Sequence, residues 1–308
     1  MDNIARDSAK TINRNKKSRF KLRDMMMGYI FISGFLVLYL VFTVYPLLDG
    51  VWISLNRWDI INPMEFVGLQ NYINLFQDPV FWTSLGNTTT FVVMSVPSIL
   101  IVGFLLALLI NSRNLKGNAF FRVTFFTPNV LSVAIISYLW VRVLEPYTGL
   151  LSNALTAIGF TQEIFWLRDR SLVWISIVLI TLWWTVGYNM VLYLASMQDI
   201  PESYYESAEL DGANAWQKTL YITIPYLKRT HILLFFLQTV ASFRIFGQVF
   251  LVTGGGPAGA TRTYIQFIYE TAFQRFFIGT GNAASVILFI IILVVSLLQL
   301  RILKATPD

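Results

Sequence analysis

The 308-residue sequence contains no cysteine and a single histidine, His231. Thiolate chemistry is thereby excluded, and nothing records the redox compartment. One histidine does not make a metal cluster, and no Ser-His-Asp arrangement can be built around it. His231 falls where an apolar run begins, and an imidazole there is expected to snorkel to the membrane interface. Charge is also scarce. Asp, Glu, Lys and Arg make up 13% of the chain, against about 25% in a soluble domain. No internal repeat stands out, and no segment is low in complexity.

What fills the chain is apolar: 56% of residues are hydrophobic, and the mean hydropathy is +0.60. Runs of about 20 apolar residues read as spans of the hydrocarbon core. Six are present, at Met26–Leu48, Thr89–Ile110, Val123–Val141, Leu172–Leu194, His231–Val252 and Gly281–Leu300. None of these six stretches carries Asp or Glu. An ion-driven transporter needs intramembrane carboxylates or broken-helix cation sites, and a membrane enzyme needs a reactive cluster; neither is visible. The first run follows a polar tail and is too long for a signal-peptide core, so it reads as a retained span. Pro46, Pro97, Pro128, Gly187, Asn129 and Asn189 within the runs mark kinks, helix contacts or a lined cavity.

The net charge of +6 reads as membrane orientation. One side would carry Arg6, Lys10, Arg14, Lys16, Lys17, Arg19, Lys21, Arg23, Arg113, Lys116, Arg122, Lys218, Lys228, Arg229, Arg301 and Lys304. The other would carry only Arg57, Arg168, Arg170, Arg262 and Arg275. The positive-inside rule therefore places both termini in the cytoplasm. The outer loops, about 30 to 40 residues each, carry Trp52, Trp58, Trp82 and Trp166 as interfacial anchors. They are too short for separate folded domains. The expected organisation is a basic tail over 1–25 and a membrane domain over 26–303, interrupted by a polar cytoplasmic loop at 199–228.

That loop is the chemically dense part. Asp199-Ile200-Pro201 reads as a helix start, with Glu202 favouring its positive end. The helix runs to about Leu210, and Gly212 supplies the left-handed residue that ends it. A second helix from about Ala215 is expected to stop before Pro225. Ser207 and Ala208 leave room for close approach, and Glu206 offers a carboxylate beside that gap. The first helix has no Lys or Arg, unlike helices that lie on anionic lipid. An acidic and aromatic surface suits a protein partner.

Glu206-Ser207-Ala208, three residues, Gly212, nine residues and then Ile222-Thr223-Ile224-Pro225 resemble the EAA loop of binding-protein-dependent ABC importer permeases. Ser207 and Ile224 depart mildly from that pattern. The stretches FVGLQNYINLF and LVTGGGPAGATRTY resemble the maltose and oligosaccharide branch, and the likeness covers about residues 20 to 305. The resemblance implies an all-α, six-span type I importer permease in the bacterial cytoplasmic membrane, without cofactor or catalytic residues of its own. It implies a second permease subunit, two ATPase subunits and an external solute-binding protein as partners. Glu206, Ser207, Ala208, Gly212, Ile222 and Pro225 would then couple to the ATPase. A same-superfamily permease for glycerol phosphates or another small solute shares all of this except the pocket.

ATP binding by this chain itself is not expected. Gly254 to Gly259 have the glycine spacing of a phosphate loop, but Ala260 stands where its lysine belongs. Thr181, Trp184, Thr185 and Tyr188 recur at helical spacing, and Gln238 and Ser242 share a face of the next run. Hydroxyls and aromatic faces suit a sugar, and the resemblance puts a sugar pocket at these positions; helix packing uses the same residues. Ile245 sits where a polar residue would serve a sugar better. Arg244 is the one charge deep in the fifth run. It reads either as an anchor for an acidic or phosphate-bearing solute or as a gate or inter-subunit ion pair, with Gln248 one turn away to orient it.

Overall fold

The computed structural model describes residues 27–111, 117–160 and 162–304. The basic tail, Arg113 and Lys116 lie outside the described residues. The chain is helical nearly throughout. Helix α1 (Met27–Ser54) is followed by a short antiparallel pair, β1 (Asn56–Arg57) and β2 (Glu65–Phe66), in which Asn56 faces Phe66. Then come α2 (Gln70–Gln77), α3 (Pro79–Asn111), α4 (Asn118–Val130), α5 (Val133–Val143), α6 (Leu150–Ala157) and α7 (Val173–Gln198). The polar loop holds α8 (Glu202–Leu210) and α9, which begins as Ala215–Lys218. The rest is α10 (Lys228–Phe243), α11 (Gly247–Thr253), α12 (Tyr264–Tyr269) and α13 (Ile278–Lys304).

Four of these, α1, α3, α7 and α13, are long and apolar enough to cross a membrane. The pairs α4–α5 and α10–α11 pass the same test only together, bent by 101° and 49°. The apolar run at 123–141 is therefore not one straight helix. Pro128 closes α4 by accepting from the Leu131 N–H, Leu131 turns extended, and the Ser132 hydroxyl caps a new helix by accepting from Ile135 N–H. The run at 231–252 breaks at Arg244, Ile245 and Phe246. The first helix continues past the expected end at Leu48 to Ser54, and so takes in Asp49.

Helix α7 is the centre of the fold, packed between α3 and α4. Two glycines make that approach possible. A Cβ on Gly103 of α3 would stand 3.1 Å from Asn189 Cβ, and one on Gly187 would stand 2.1 Å from the Phe125 carbonyl oxygen. Small residues at such crossings let backbones meet where no hydrophobic gain drives association. Along α3 the buried positions Ser84, Thr88, Phe91, Ser95, Ile99, Gly103 and Ala107 recur every three or four residues. By contrast α1 buries nothing over its apolar stretch; only its Tyr45–Ser54 end rests on α13.

At the opposite end from the polar loop, buried Asn71 ties the elements together. Its amide donates to the carbonyls of Ser54 and Asn56 at 2.9 and 2.8 Å, and its oxygen accepts from Thr280. Nearby, the Asn62 amide and backbone N–H hold the Asp59 carboxyl below its usual range. The glycine loop between α11 and α12 is fixed in the same way. Asn87 donates to the carbonyls of Gly259 and Arg262, and the Trp174 indole donates to that of Ala260. The loop N–H groups of Gly256, Ala260, Thr261 and Arg262 are bonded within the loop, so they form no phosphate cradle.

Gly187→Ala is expected to lower stability by about 1–3 kcal/mol, the range of an overpacked core. Gly28→Ala, with nothing within 4 Å of the new Cβ, should leave it unchanged. Thermal unfolding of the detergent-solubilised protein checks this, and equal midpoints for both variants would contradict the close α4–α7 contact.

Candidate functional site

The polar loop is built from two caps and a clasp. Pro201 precedes α8, and Glu202 lies in its first turn. At the other end the Ala213 N–H donates to the Ala208 carbonyl and the Gly212 N–H to that of Glu209. This is the Schellman arrangement, with Gly212 at φ +78° in the left-handed position that a Cβ disfavours. The chain turns directly into a capping box. The Asn214 side chain accepts from Gln217 N–H at 2.9 Å, and the Gln217 side chain accepts from Asn214 N–H at 2.8 Å.

Helix α9 does not stop before Pro225. It passes from Ala215–Lys218 through a π-turn at Thr219–Thr223 and ends at Ile224–Tyr226. The wider turn re-registers the backbone so that Pro225, which has no N–H, falls at the start of a new turn. Two links clasp α8 to α9: Tyr205 and Thr223 share a hydroxyl hydrogen bond at 2.9 Å, and Lys218 Nζ lies 2.6 Å from Glu209 Oε1. Tyr226 adds a third tie, donating to the Asp199 carbonyl at the end of α7.

Glu206 lines a hollow of about 620 Å³ between the clasped helices and the ends of α3 and α7, with Asn111, Gln198 and Tyr205 on its walls. No residue of α8 is buried. Ser207 is exposed, Ala208 and Ile222 are half-buried, and Pro225 is exposed. Sequence reasoning passed over three residues of this surface. Leu210 is 91% exposed, Trp216 69% and Tyr221 73%; the available signal was large apolar side chains within an otherwise polar loop.

The second set of residues is more divided. Thr181 donates to its own helix at Ile177 and to the Gln248 side chain, and Ser242 shares a hydrogen bond with Ser95. Both hydroxyls are buried. Thr185 bonds back to Thr181, and Gln238 accepts from Asn189 at 3.4 Å. Trp184 packs half-buried beside Ile180 and Val252, and its indole N–H has no partner among the described residues. Tyr188 and Arg244 are exposed. The helical stripe on α7 is therefore split, one part facing α11 and another open, because neighbours cover α7 on more than one side. Gln248 does not orient Arg244: it is buried, and its amide bonds to Ile177 and Thr181. Nor does His231 snorkel. It shares a 2.9 Å hydrogen bond with Tyr193 and packs edge-on against Phe104.

Among the described residues no group of three or more His, Asp or Glu side chains could hold a metal. The loop can act by docking, and the helices by admitting a solute. Residues 79–306 match the family described as binding-protein-dependent transport system inner membrane component. The probable ABC transporter permease protein YurN of Bacillus subtilis is 34% identical over 93% of this chain and 99% of its own length. The probable starch degradation products transport system permease protein AmyD of Thermoanaerobacterium thermosulfurigenes is 31% identical over 92% and 96%. The fold also matches a crystal structure of a bacterial ABC transporter involved in import of the acidic polysaccharide alginate. The TM-score is 0.83 at 24% identity, over 93% of this chain and 97% of that one. This chain belongs to the family of binding-protein-dependent transport system inner membrane components: it is a multi-pass inner-membrane permease, and not an enzyme.

Proposed function

We propose that this chain is one of two different permease subunits in an ATP-driven importer that moves an oligosaccharide inward, delivered by an external solute-binding protein. The observation that carries the reading is the clasped α8–α9 loop. It presents Glu206 beside a hollow, with Leu210, Trp216 and Tyr221 exposed around it. Apolar side chains bared on a polar loop suit a protein surface that covers them. Two copies of a cytoplasmic ATPase would supply that surface, one beneath each permease subunit. The positive end of a basic side chain there would meet Glu206, while Gly212 aims the helix and Ser207 and Ala208 leave room for contact.

Each bent pair counts as one crossing in this reading, which makes six spans and returns both termini to the cytoplasm. The distribution of Lys and Arg supports that orientation. The bare apolar length of α1 supports a second permease subunit, because none of that stretch is buried among the described residues. Several relatives are named for sugars: starch degradation products, lactose, trehalose/maltose and arabinooligosaccharides. A sugar solute is the common element. Tyr188 is the exposed aromatic of the solute path, with Trp184, Thr185 and Gln238 half-buried beside it; Thr181 and Ser242 join it if their internal hydrogen bonds open.

Two experiments test this. In a pull-down from native membrane, Glu206→Ala should cut ATPase recovery about tenfold or more while the second permease stays bound, since stranding one partner of a buried charge pair costs about 2–5 kcal/mol. Undiminished ATPase, or a wild-type chain recovered alone, contradicts the coupling role. Because the chain is free of cysteine, single cysteines report topology directly. Ser203→Cys should react with a membrane-impermeant maleimide only from the cytoplasmic side, and Asn62→Cys only from the outer side; the reverse labelling would invert the orientation.

A further inference from the structure

We propose that Arg244 is a seam residue, pairing with a carboxylate on a spanning helix of the second permease subunit. This rests on the two-subunit reading above. Arg244 caps α10 at the bend between α10 and α11, and its side chain is exposed. A charge within a membrane-spanning element needs a partner or a water-filled cavity.

No carboxylate among the described residues pairs with it. Among the described residues, the helices able to cross the membrane singly or in pairs carry one carboxylate, Asp49, near the far end of α1. No hydrogen bond or ion pair from the Arg244 side chain forms among the described residues, and Gln248 is engaged with Thr181 and Ile177. No described residue of its own chain compensates the charge, and a neighbouring subunit can.

The surface around Arg244 separates the two sources of such a charge. Leu233, Leu237 and Ala241 precede it at helical spacing, and all three are exposed; Leu251, beyond the bend, is 49% exposed. The polar side chains nearby point elsewhere: Ser242 is buried against Ser95 and Thr239 against Gln299. A solute path needs repeated hydrogen-bonding groups, and this strip offers one cation in an apolar setting. Such a strip suits a packed protein face with one complementary charge. Residence time favours the same choice. A solute is present only during turnover, whereas a subunit's carboxylate compensates the arginine throughout.

The test uses the whole complex purified from its native membrane, with Arg244→Lys, Arg244→Gln and Arg244→Glu. Dicyclohexylcarbodiimide condenses an amine with a carboxylate it touches, forming an amide as the reagent takes up the water. Arg244→Lys should keep the second permease at wild-type recovery. It should also become cross-linked through position 244 to an Asp or Glu of that subunit, located by mass spectrometry. Arg244→Gln and Arg244→Glu should lower recovery of the second permease about tenfold or more. The proposal is overturned if the substituted position gives no cross-link and Arg244→Gln retains the subunit fully. It is also overturned if Arg244→Gln assembles normally but loses import of a uronate-containing saccharide while importing a neutral one, which would make the arginine a solute anchor. A wild-type chain that elutes without any second permease overturns the two-subunit reading itself.

Discussion

Hydrocarbon offers no hydrogen-bond partners, so every polar group taken into the membrane must be satisfied within the protein. The chain meets this constraint at two levels. Within helices, Thr88, Ser98, Thr127 and Ser285 donate to carbonyls four residues back. Between helices, Ser95 pairs with Ser242, Thr181 with Gln248 and Thr239 with Gln299. These three contacts tie α3, α7 and α13 to the bent pair α10–α11. The bend survives because Gln248, just past it, is anchored to α7 by both ends of its amide. Arg244 stands out against this background as an exposed charge at the bend with no ion pair among the described residues.

The same architecture places the polar loop mechanically. Helix α7 ends at Gln198 and α8 begins four residues later, while Leu227 alone separates the end of α9 from α10. A push on the loop is therefore delivered to two helices of the core. The Lys218–Glu209 pair adds little stiffness, since Glu209 is 66% exposed and exposed pairs contribute about 0–1 kcal/mol. The two helix caps, the Tyr205–Thr223 bond and the Tyr226 tie to Asp199 carry more of the rigidity. In the proposed importer, motion of an ATPase docked on this loop would pass to the spans as a rigid-body shift.

Much of this was legible in the sequence, and the rest was hidden for physical reasons. Apolar runs are visible because the bilayer sets their length, and Glu202, Gly212 and the spacing to Pro225 mark a helix, a turn and a helix. Pro225 misled as a stop signal because a π-turn is invisible to residue preference. Pro128 announced a disturbance, but the direction of a 101° bend depends on what α4 and α5 pack against. Gly187 reads as a small residue at a helix contact; only the structure names the Phe125 carbonyl as its neighbour. The solute path was read as faces of two separate helices, whereas Thr181 on one and Ser242 on the other spend their hydroxyls on Gln248 and Ser95 of neighbouring helices.

The central claim is that the α8–α9 clasp is a rigid joint between the ATPase and the spans. The most direct measurement is solute uptake per ATP hydrolysed, in proteoliposomes carrying the complete importer, with Tyr205→Phe combined with Tyr226→Phe. Glu206 and both caps remain in that variant, so the motor should stay bound and keep hydrolysing ATP. A rigid joint predicts that uptake per ATP falls severalfold. Unchanged uptake per ATP in an assembled, ATP-hydrolysing complex would contradict it.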